Sequence, residues 1–257
     1  MLRKCSFILL IICILLAGCS TELITINSIS DLENKKVGVY TGSEYDIILD
    51  NNIKAAIPAY YNSYSDEISA LKSGKIDAFL TDEPLAKEIL KNNSGLRIID
   101  EKLTEDSYAF AISPNKNDLK DEIDIVIRDM KENGILNNME EKWFGENEES
   151  KILEKYNYEQ SKGTIRFATV SGSAPFAYMK NNEIVGYDID VINYVGYKLG
   201  YKIEIVEMAF EGMIAAISSE KVDVAGCSII VTDERKKSVL FSEPNYTGGI
   251  VLVVREK

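Results

Sequence analysis

Residues 68–82 read ISALKSGKIDAFLTD, and residues 214–228 read IAAISSEKVDVAGCS. Both follow one template: the apolar-spaced end of a helix, a polar turn, Lys-(Ile/Val)-Asp, then a short apolar strand. Two similar α/β units in a chain of 257 residues imply two lobes of related architecture. In open α/β sheets, ligands bind beyond the carboxyl ends of the strands. Those ends are Thr81-Asp82 in the first unit and Ser228 in the second.

Outward from these units the chain alternates strand and helix. Lys36–Tyr40 (KVGVY) reads as a β-branched strand, and Thr41-Gly42-Ser43 as a turn into a helix. Residues 76–80 form a strand, and Thr81-Asp82-Glu83-Pro84 opens a helix with proline in its tolerated first turn. SYAFAI (107–112) is a strand. Residues 118–142 carry Ile123, Val126, Ile127, Met130, Ile135, Leu136 and Met139 near helical spacing, with Gly134 as a break. The stretch 146–163, ENEESKILEKYNYEQSKG, has no regular apolar face and reads as a linker in which Tyr156 and Tyr158 have room to pack locally. A second α/β region follows: a strand at 164–169 (TIRFAT), a helix at 187–199 ended by Gly200, a strand at 202–206, a helix at 212–218, a strand at 222–225 and a last strand at 249–254 (GIVLVV).

Charge and composition remove several function classes. There are 29 Lys and Arg against 41 Asp and Glu, a net charge of −12, so no basic surplus exists to neutralise phosphates and nucleic acid is not an expected partner. The chain has no His, which excludes His-based triads and His metal sites. Arg3 and Lys4 precede an apolar run, FILLIICILLA (7–17). That run is short of the ~18–20 residues a transmembrane helix needs but fits the apolar region of a secretory signal. Leu16-Ala17-Gly18-Cys19 resembles a bacterial lipobox, with cleavage before Cys19 and lipid on its sulfur; the alternative is an ordinary signal with an incidental Cys. Cys5 and Cys13 lie in the leader, which leaves Cys227 and no intrachain disulfide in the exported part. The expected location is extracytoplasmic, with the chain held to the membrane by the lipid.

Several ordered motifs resemble the amino-acid-type extracellular solute-binding proteins of ABC transporters, family 3. They are PFAY (175–178), EIVGYDIDVINYVGYKLGY (183–201), EGMIAAISSEKVDV (211–224) and TDERKKSVLFSEPNY (232–246), with LENKKVGVYTGS (32–43), ISALKSGKIDAFLTDEP (68–84) and GILNNMEEKWFG (134–145). The resemblance implies an α/β fold of two Rossmann-like lobes joined by a hinge, the type II periplasmic-binding-protein fold. The family begins with the TIRFAT-like lobe and ends at KWFG; here the order is exchanged, which implies a circular permutation. The expected organisation is a signal peptide (1–18), a tether (19–30), lobe 2 (31–112), return helices packing on lobe 1 (113–146), a linker joining the usual termini (147–163) and lobe 1 ending in a hinge strand (164–257).

The family holds a free amino acid between its lobes. Arg235 falls at its carboxylate-binding position, where a guanidinium offers two parallel donors; the alternative is a solvated charge in TDERKK. Asp82 falls at the acidic partner of the α-ammonium; alternatively it is a helix N-cap. The amides of Thr41, Gly42 and Ser43 either bind a polar ligand group or form a plain turn. Tyr40 and Thr81 sit where side-chain specificity is set, and Phe210 matches an aromatic that covers the ligand or belongs to the core. Phe176 and Tyr178 are either pocket wall or lobe core, and Cys227 reads as a small buried hydrophobe. The spacing from Asp223 to Arg235 places Ser228 where glycine is usual and Ile230 where a hydroxyl residue normally bonds the carboxylate. Ser173 stands where many members carry a stacking aromatic, and Val170 where some carry an acid.

The resemblance implies a monomeric, lipid-anchored protein that captures an amino acid or similar polar solute by lobe closure and delivers it to an ABC permease, with no cofactor, metal or catalytic residue. An enzyme of the same fold, a cyclohexadienyl dehydratase-like protein using Asp82 or Glu83, is the alternative; a ligand-sensing module or a fragment of a permease fusion is a third. The permutation predicts that SYAFAI and GIVLVV pair as neighbours and that only one covalent crossing joins the lobes, which would loosen the open state.

Overall fold

The computed structural model describes residues 25–159 and 161–256, so the signal segment and Cys19 lie outside the described residues. The β-branched run Lys36–Tyr40 forms β1, and the turn after it leads into α1 (Tyr45–Asn52). Then come β2 (Ile57–Tyr61), α2 (Tyr64–Lys72), β3 (Ala78–Asp82), α3 (Glu83–Asn92) and β4 (Leu96–Ile98). Ser63 caps α2 by accepting from the Asp66 amide, and Pro84 occupies the first turn of α3. β5 (Asp106–Tyr108) and β6 (Ala111–Ile112) lead to α4 (Asn117–Glu132) and α5 (Ile135–Phe144), separated by Gly134 at φ +68°. The rest of the chain adds β7 (Thr164–Thr169), β8 (Gly172–Ser173), β9 (Ala177–Lys180), β10 (Glu183–Val185), α6 (Tyr187–Leu199), β11 (Lys202–Glu207) and α7 (Met213–Ser218). It ends with β12 (Val224–Ala225), β13 (Leu240–Phe241), β14 (Tyr246–Gly248) and β15 (Ile250–Arg255).

Two five-stranded mixed sheets define the two lobes. Their orders are β2-β1-β3-β15-β4 and β11-β7-β12-β6-β13. Counting only the strands each half of the chain contributes to its own sheet, both read second, first, third, foreign, fourth. The foreign strand runs antiparallel to both neighbours: β15 to β3 and β4, β6 to β12 and β13. This is the two-lobed α/β type II periplasmic-binding-protein fold that the motifs imply. The segment 31–112 thus gives β6 to the second sheet, and 164–257 gives β15 to the first.

The lobes are joined by a short ribbon. β5 pairs antiparallel with β14, Tyr108 opposite Tyr246 and Asp106 opposite Gly248. On its other side the Ala109 amide donates to Ile229 O, and the Val231 amide to Ser107 O. The pairing expected between SYAFAI (107–112) and GIVLVV (249–254) therefore does not form; 106–108 pairs instead with 246–248, the residues just before GIVLVV. GIVLVV itself runs on between β3 and β4, because Ile250 to Val254 are all buried and such a run suits a strand covered on both faces. The chain consequently crosses between lobes twice, through β5–β6 and through β13–β14–β15. The single covalent crossing does not occur, and the loosening inferred from it does not follow.

The linker is docked rather than free. Tyr156 stacks on Tyr197 at 4.7 Å, and the Tyr158 hydroxyl donates to Tyr201 O at 2.7 Å. Lys151 is buried and pairs with Glu148 and, at 3.8 Å, with Glu88 of α3 in the opposite lobe. At the other end of the chain, Ile26 is buried in the same cluster as Val254, and the Arg97 guanidinium donates to Ile26 O. Among the described residues no helix is long and apolar enough to cross a membrane.

In the lobe built on β7, a buried polar contact joins α5 to α6. The Trp143 indole N–H and Lys142 Nζ both reach Asp190 Oδ2 at 2.8 Å, and Trp143 and Asp190 are fully buried. Removing one partner of a buried ion pair strands the other, at about 3–5 kcal/mol. Asp190→Ala is expected to destabilise the protein by that order, read from the urea midpoint; a shift under about 1 kcal/mol would show that the pair does not hold α5 on α6.

Candidate functional site

Residues just beyond the carboxyl ends of β1, β3 and β12 meet across the gap between lobes. Asp82 ends β3 and Ser228 follows β12, and the Ser228 hydroxyl donates to Asp82 Oδ2 at 2.9 Å, across 146 positions of sequence. The two ends of the sequence repeat therefore touch. Beside them is an interlobe cavity of about 20 Å³, near the size that holds one water molecule.

Of the residues expected at the site, Tyr40, Ser43, Ser173, Phe210, Ser228, Ile230 and Arg235 line this cavity. Tyr40 stacks on Tyr64 with ring centroids 4.6 Å apart and meets Phe210 edge-on at 5.9 Å. Thr41 is turned away, its amide and hydroxyl both donating to Tyr61 O. The Ser43 amide donates to Tyr40 O, so this turn presents a carbonyl, Gly42 O, rather than free Thr41 and Ser43 amides. Thr81 is fully buried behind the wall. Phe176 lies in the hinge core against Tyr108, Phe144 and Tyr246, and Tyr178 meets Trp143 edge-on. Glu83 is paired with Lys87 and Lys102, away from the cavity.

Arg235 is only 6% exposed, so it is not a solvated charge. Its Nε meets Glu44 Oε1 at 3.1 Å, Nη1 donates to Ile230 O at 3.0 Å, and Nη2 to Gly42 O at 3.1 Å. The guanidinium also sits 5.8 Å from the Phe210 ring centroid. Burial pulls its pKa below the usual range, and the Glu44 carboxylate opposes that shift.

Asp82 makes no side-chain cap to α3. Instead it accepts from Tyr108 at 2.7 Å, Ser228 at 2.9 Å and Tyr45 at 3.1 Å, all neutral hydroxyls. Burial pushes its pKa up to about 6, against those hydrogen bonds. Asp188, in the first turn of α6, accepts from the Ser228 amide at 2.9 Å and the Asn245 side chain at 3.1 Å. Burial pushes it to about 7, and nearby Asp82 adds to the shift. Ser228, at φ +47°, thus holds two buried carboxylates, its hydroxyl on one and its amide on the other.

Glu44, Tyr45, Tyr64 and Cys227 also line the cavity, and Asp188 stands behind it, none of them read as site residues from the sequence. Glu44 directly follows the Thr41-Gly42-Ser43 turn and Asp188 lies inside GYDID, which were the available signals. Burial raises the Cys227 thiol to about 12.

Two outcomes follow from this geometry. An acid raised in the folded state stabilises the fold below its unfolded pKa, near 4, and loses that contribution as pH rises through the folded pKa. With Asp82 near 6 and Asp188 near 7, stability of the protein alone should fall between pH ~4 and ~7, by roughly 3–4 kcal/mol per group. Asp188→Asn should flatten the upper part of that slope in melts across pH; an unchanged slope would remove Asp188 as its source. Separately, Gly42 has φ +82°, and a Cβ there would lie 2.5 Å from Glu211 Cα across the gap. Gly42→Ala should hold the lobes apart, seen as a larger radius of gyration in small-angle scattering; an unchanged radius would show that this contact does not limit closure.

Residues 165–257 match the family model of bacterial extracellular solute-binding proteins, family 3. The chain is 34% identical over 98 residues to the arginine-binding extracellular protein ArtP of Bacillus subtilis, covering 38% of each chain. It is 31% identical over 122 residues to the L-cystine-binding protein TcyJ of Escherichia coli, covering 47% of this chain and 46% of that one. The chain thus spans less than half the length of these curated relatives, which are binding proteins by name. Among solved structures, the ligand-binding component of an ABC-type import system from Staphylococcus aureus matches with a TM-score of 0.46 at 14% identity, covering 86% of this chain and 65% of that one. Residues 165–257, about a third of the chain, are thus similar to the family 3 bacterial solute-binding proteins.

Proposed function

We propose that the protein is an extracytoplasmic, lipid-anchored binding protein that captures an amino acid or similar polar solute for an ABC permease by closing its lobes. The observation that carries this reading is the meeting of Glu44, Ser228 and Arg235 from both lobes around one cavity beyond the strand ends, with Asp82 bonded to Ser228 behind it. Lobes joined by a two-stranded ribbon suit a hinge whose open and closed populations a ligand shifts. The whole-chain order is best explained as a circular permutation, with lobe 2 at 31–112, return helices at 113–146, a linker at 147–163 and lobe 1 at 164–257. Support comes from the matched strand orders of the two sheets and from Ile26 lying beside Val254. Cys19 is the proposed lipid site.

An enzyme acting through Asp82 has one observation in its favour, the raised pKa, because acid–base groups are often tuned this way. Against it, three hydroxyls occupy the carboxylate and Glu83 is committed to two lysines. A thermal-shift screen with amino acids and related polar solutes tests the capture reading. A solute at about 100 times its dissociation constant should stabilise by roughly 2.7 kcal/mol; turnover of the bound solute would instead establish the enzyme. Cys19→Ser should move the protein from the membrane fraction to the soluble fraction. A protein that is already soluble with Cys19 intact would refute the anchor.

A further inference from the structure

The polar groups at the cavity are unequally supplied. Arg235 carries its one guanidinium, and each guanidinium nitrogen already has a protein partner: Glu44, Ile230 O or Gly42 O. Glu44 neutralises the charge with a carboxylate reaching across from the opposite lobe. Position 230 is a buried isoleucine, which offers a second ligand oxygen no hydroxyl and whose carbonyl is already engaged. An incoming carboxylate therefore has to displace Glu44 or share Arg235 with it, like charge against like charge.

Directly behind the cavity-lining Ser228 and Tyr45 the balance is the reverse. Asp82 and Asp188 are both buried, held only by hydroxyl and amide donors, and neither forms an ion pair with any Lys or Arg among the described residues. Of the three carboxylates in this region, only that of Glu44 is paired with Arg235; Asp82 and Asp188 are both bonded to Ser228, which lines the cavity. Part of the cavity wall is aromatic: Tyr40 stacked on Tyr64, with Phe210 edge-on. Aromatic faces beside uncompensated carboxylates attract cations.

We propose that the interlobe cleft, widened beyond the one-water cavity of this closed form, takes an organic cation lacking a carboxylate, a primary amine or guanidine, and that Glu44 sets this choice by occupying Arg235. The proposal rests on the reading that the interlobe cleft captures a small solute, and it names the class of that solute. The ammonium or guanidinium group lies toward Asp82 and Asp188, where it supplies the missing counter-charge. The apolar body lies against Tyr40, Tyr64 and Phe210, while the Glu44–Arg235 pair lines the cavity without contributing to ligand charge.

The test compares molecules that differ only in the carboxylate: agmatine with arginine, cadaverine with lysine, histamine with histidine, tyramine with tyrosine. Each is titrated calorimetrically into the full-length protein. At least one amine should bind about tenfold or more tighter than its parent amino acid. Glu44→Gln, checked for folding by its melt, should narrow or invert that ratio by freeing Arg235 for the amino acid's carboxylate; Glu44→Ala serves the same purpose if the glutamine variant does not fold. An amino acid binding as tightly as its amine in the unaltered protein, or a ratio indifferent to both Glu44 variants, overturns the proposal and leaves solute capture standing. Failure of every amine and every amino acid to bind overturns the proposal together with the capture reading.

Discussion

Each sheet of this protein has a gap at its fourth position that only the other lobe's chain fills. A central strand must satisfy its backbone donors and acceptors on both edges, and an open slot there would expose two unpaired rows of N–H and C=O groups. β15 and β6 close those slots, and both emerge from the same hinge ribbon. Neither lobe is therefore complete as a separate unit. Because β5 and β14 run directly into sheet strands, their register fixes where Asp82 and Ser228 sit relative to each other.

The cleft brings two buried acids, both without a cation partner among the described residues, onto one residue, Ser228. Asp190 and Asp223, by contrast, have cations beside them: Asp190 takes Lys142, and Asp223 takes Arg166 and Lys116, whose hydrogen bonds outweigh burial and lower its pKa to about 2. Glu67, buried and likewise without such a partner, is raised by burial like the cleft acids. Asp82 and Asp188 have only neutral donors, so burial dominates and both are raised. Closure brings one compensated pair, Arg235 with Glu44, and one hydroxyl bridge, Ser228 with Asp82, into contact at the same time. Uncompensated charge in a closed gap favours opening unless something of opposite sign enters, which links the electrostatics of the site to the position of the hinge.

The strands with continuous apolar runs were legible in the sequence to within two residues. KVGVY and TIRFAT have the expected bounds, and the helix 187–199 ends where Gly200 adopts a positive φ. The repeat also foretold where the lobes meet, since its two last residues bond. What could not be read was partnership. GIVLVV has the composition of a central strand, but composition does not say which sheet it enters, and the expectation of one covalent crossing came from assigning it to the wrong side of the hinge. The mixed strand β2, IPAYY, lies at a sheet edge with Ile57 and Tyr60 exposed, so its pattern carried no burial period. Glu44 went unread because its importance comes from Arg235, 191 positions away by sequence number and on the other lobe. Thr41 and Phe176 were read toward the site from their neighbours in sequence, whereas tertiary contacts turn them to Tyr61 and to the hinge aromatics.

Cys227 lines the cavity and is 1% exposed, and it is the sole free cysteine among the described residues. Its thiol is raised to about 12, so the reactive thiolate is scarce while the lobes are shut. Parting of the lobes removes both protections at once, since the same movement admits water and reagent to the sulfur. The residue is therefore a native kinetic clock for opening: its alkylation rate tracks the fraction of time the cleft stands open, with no label or added probe on the chain.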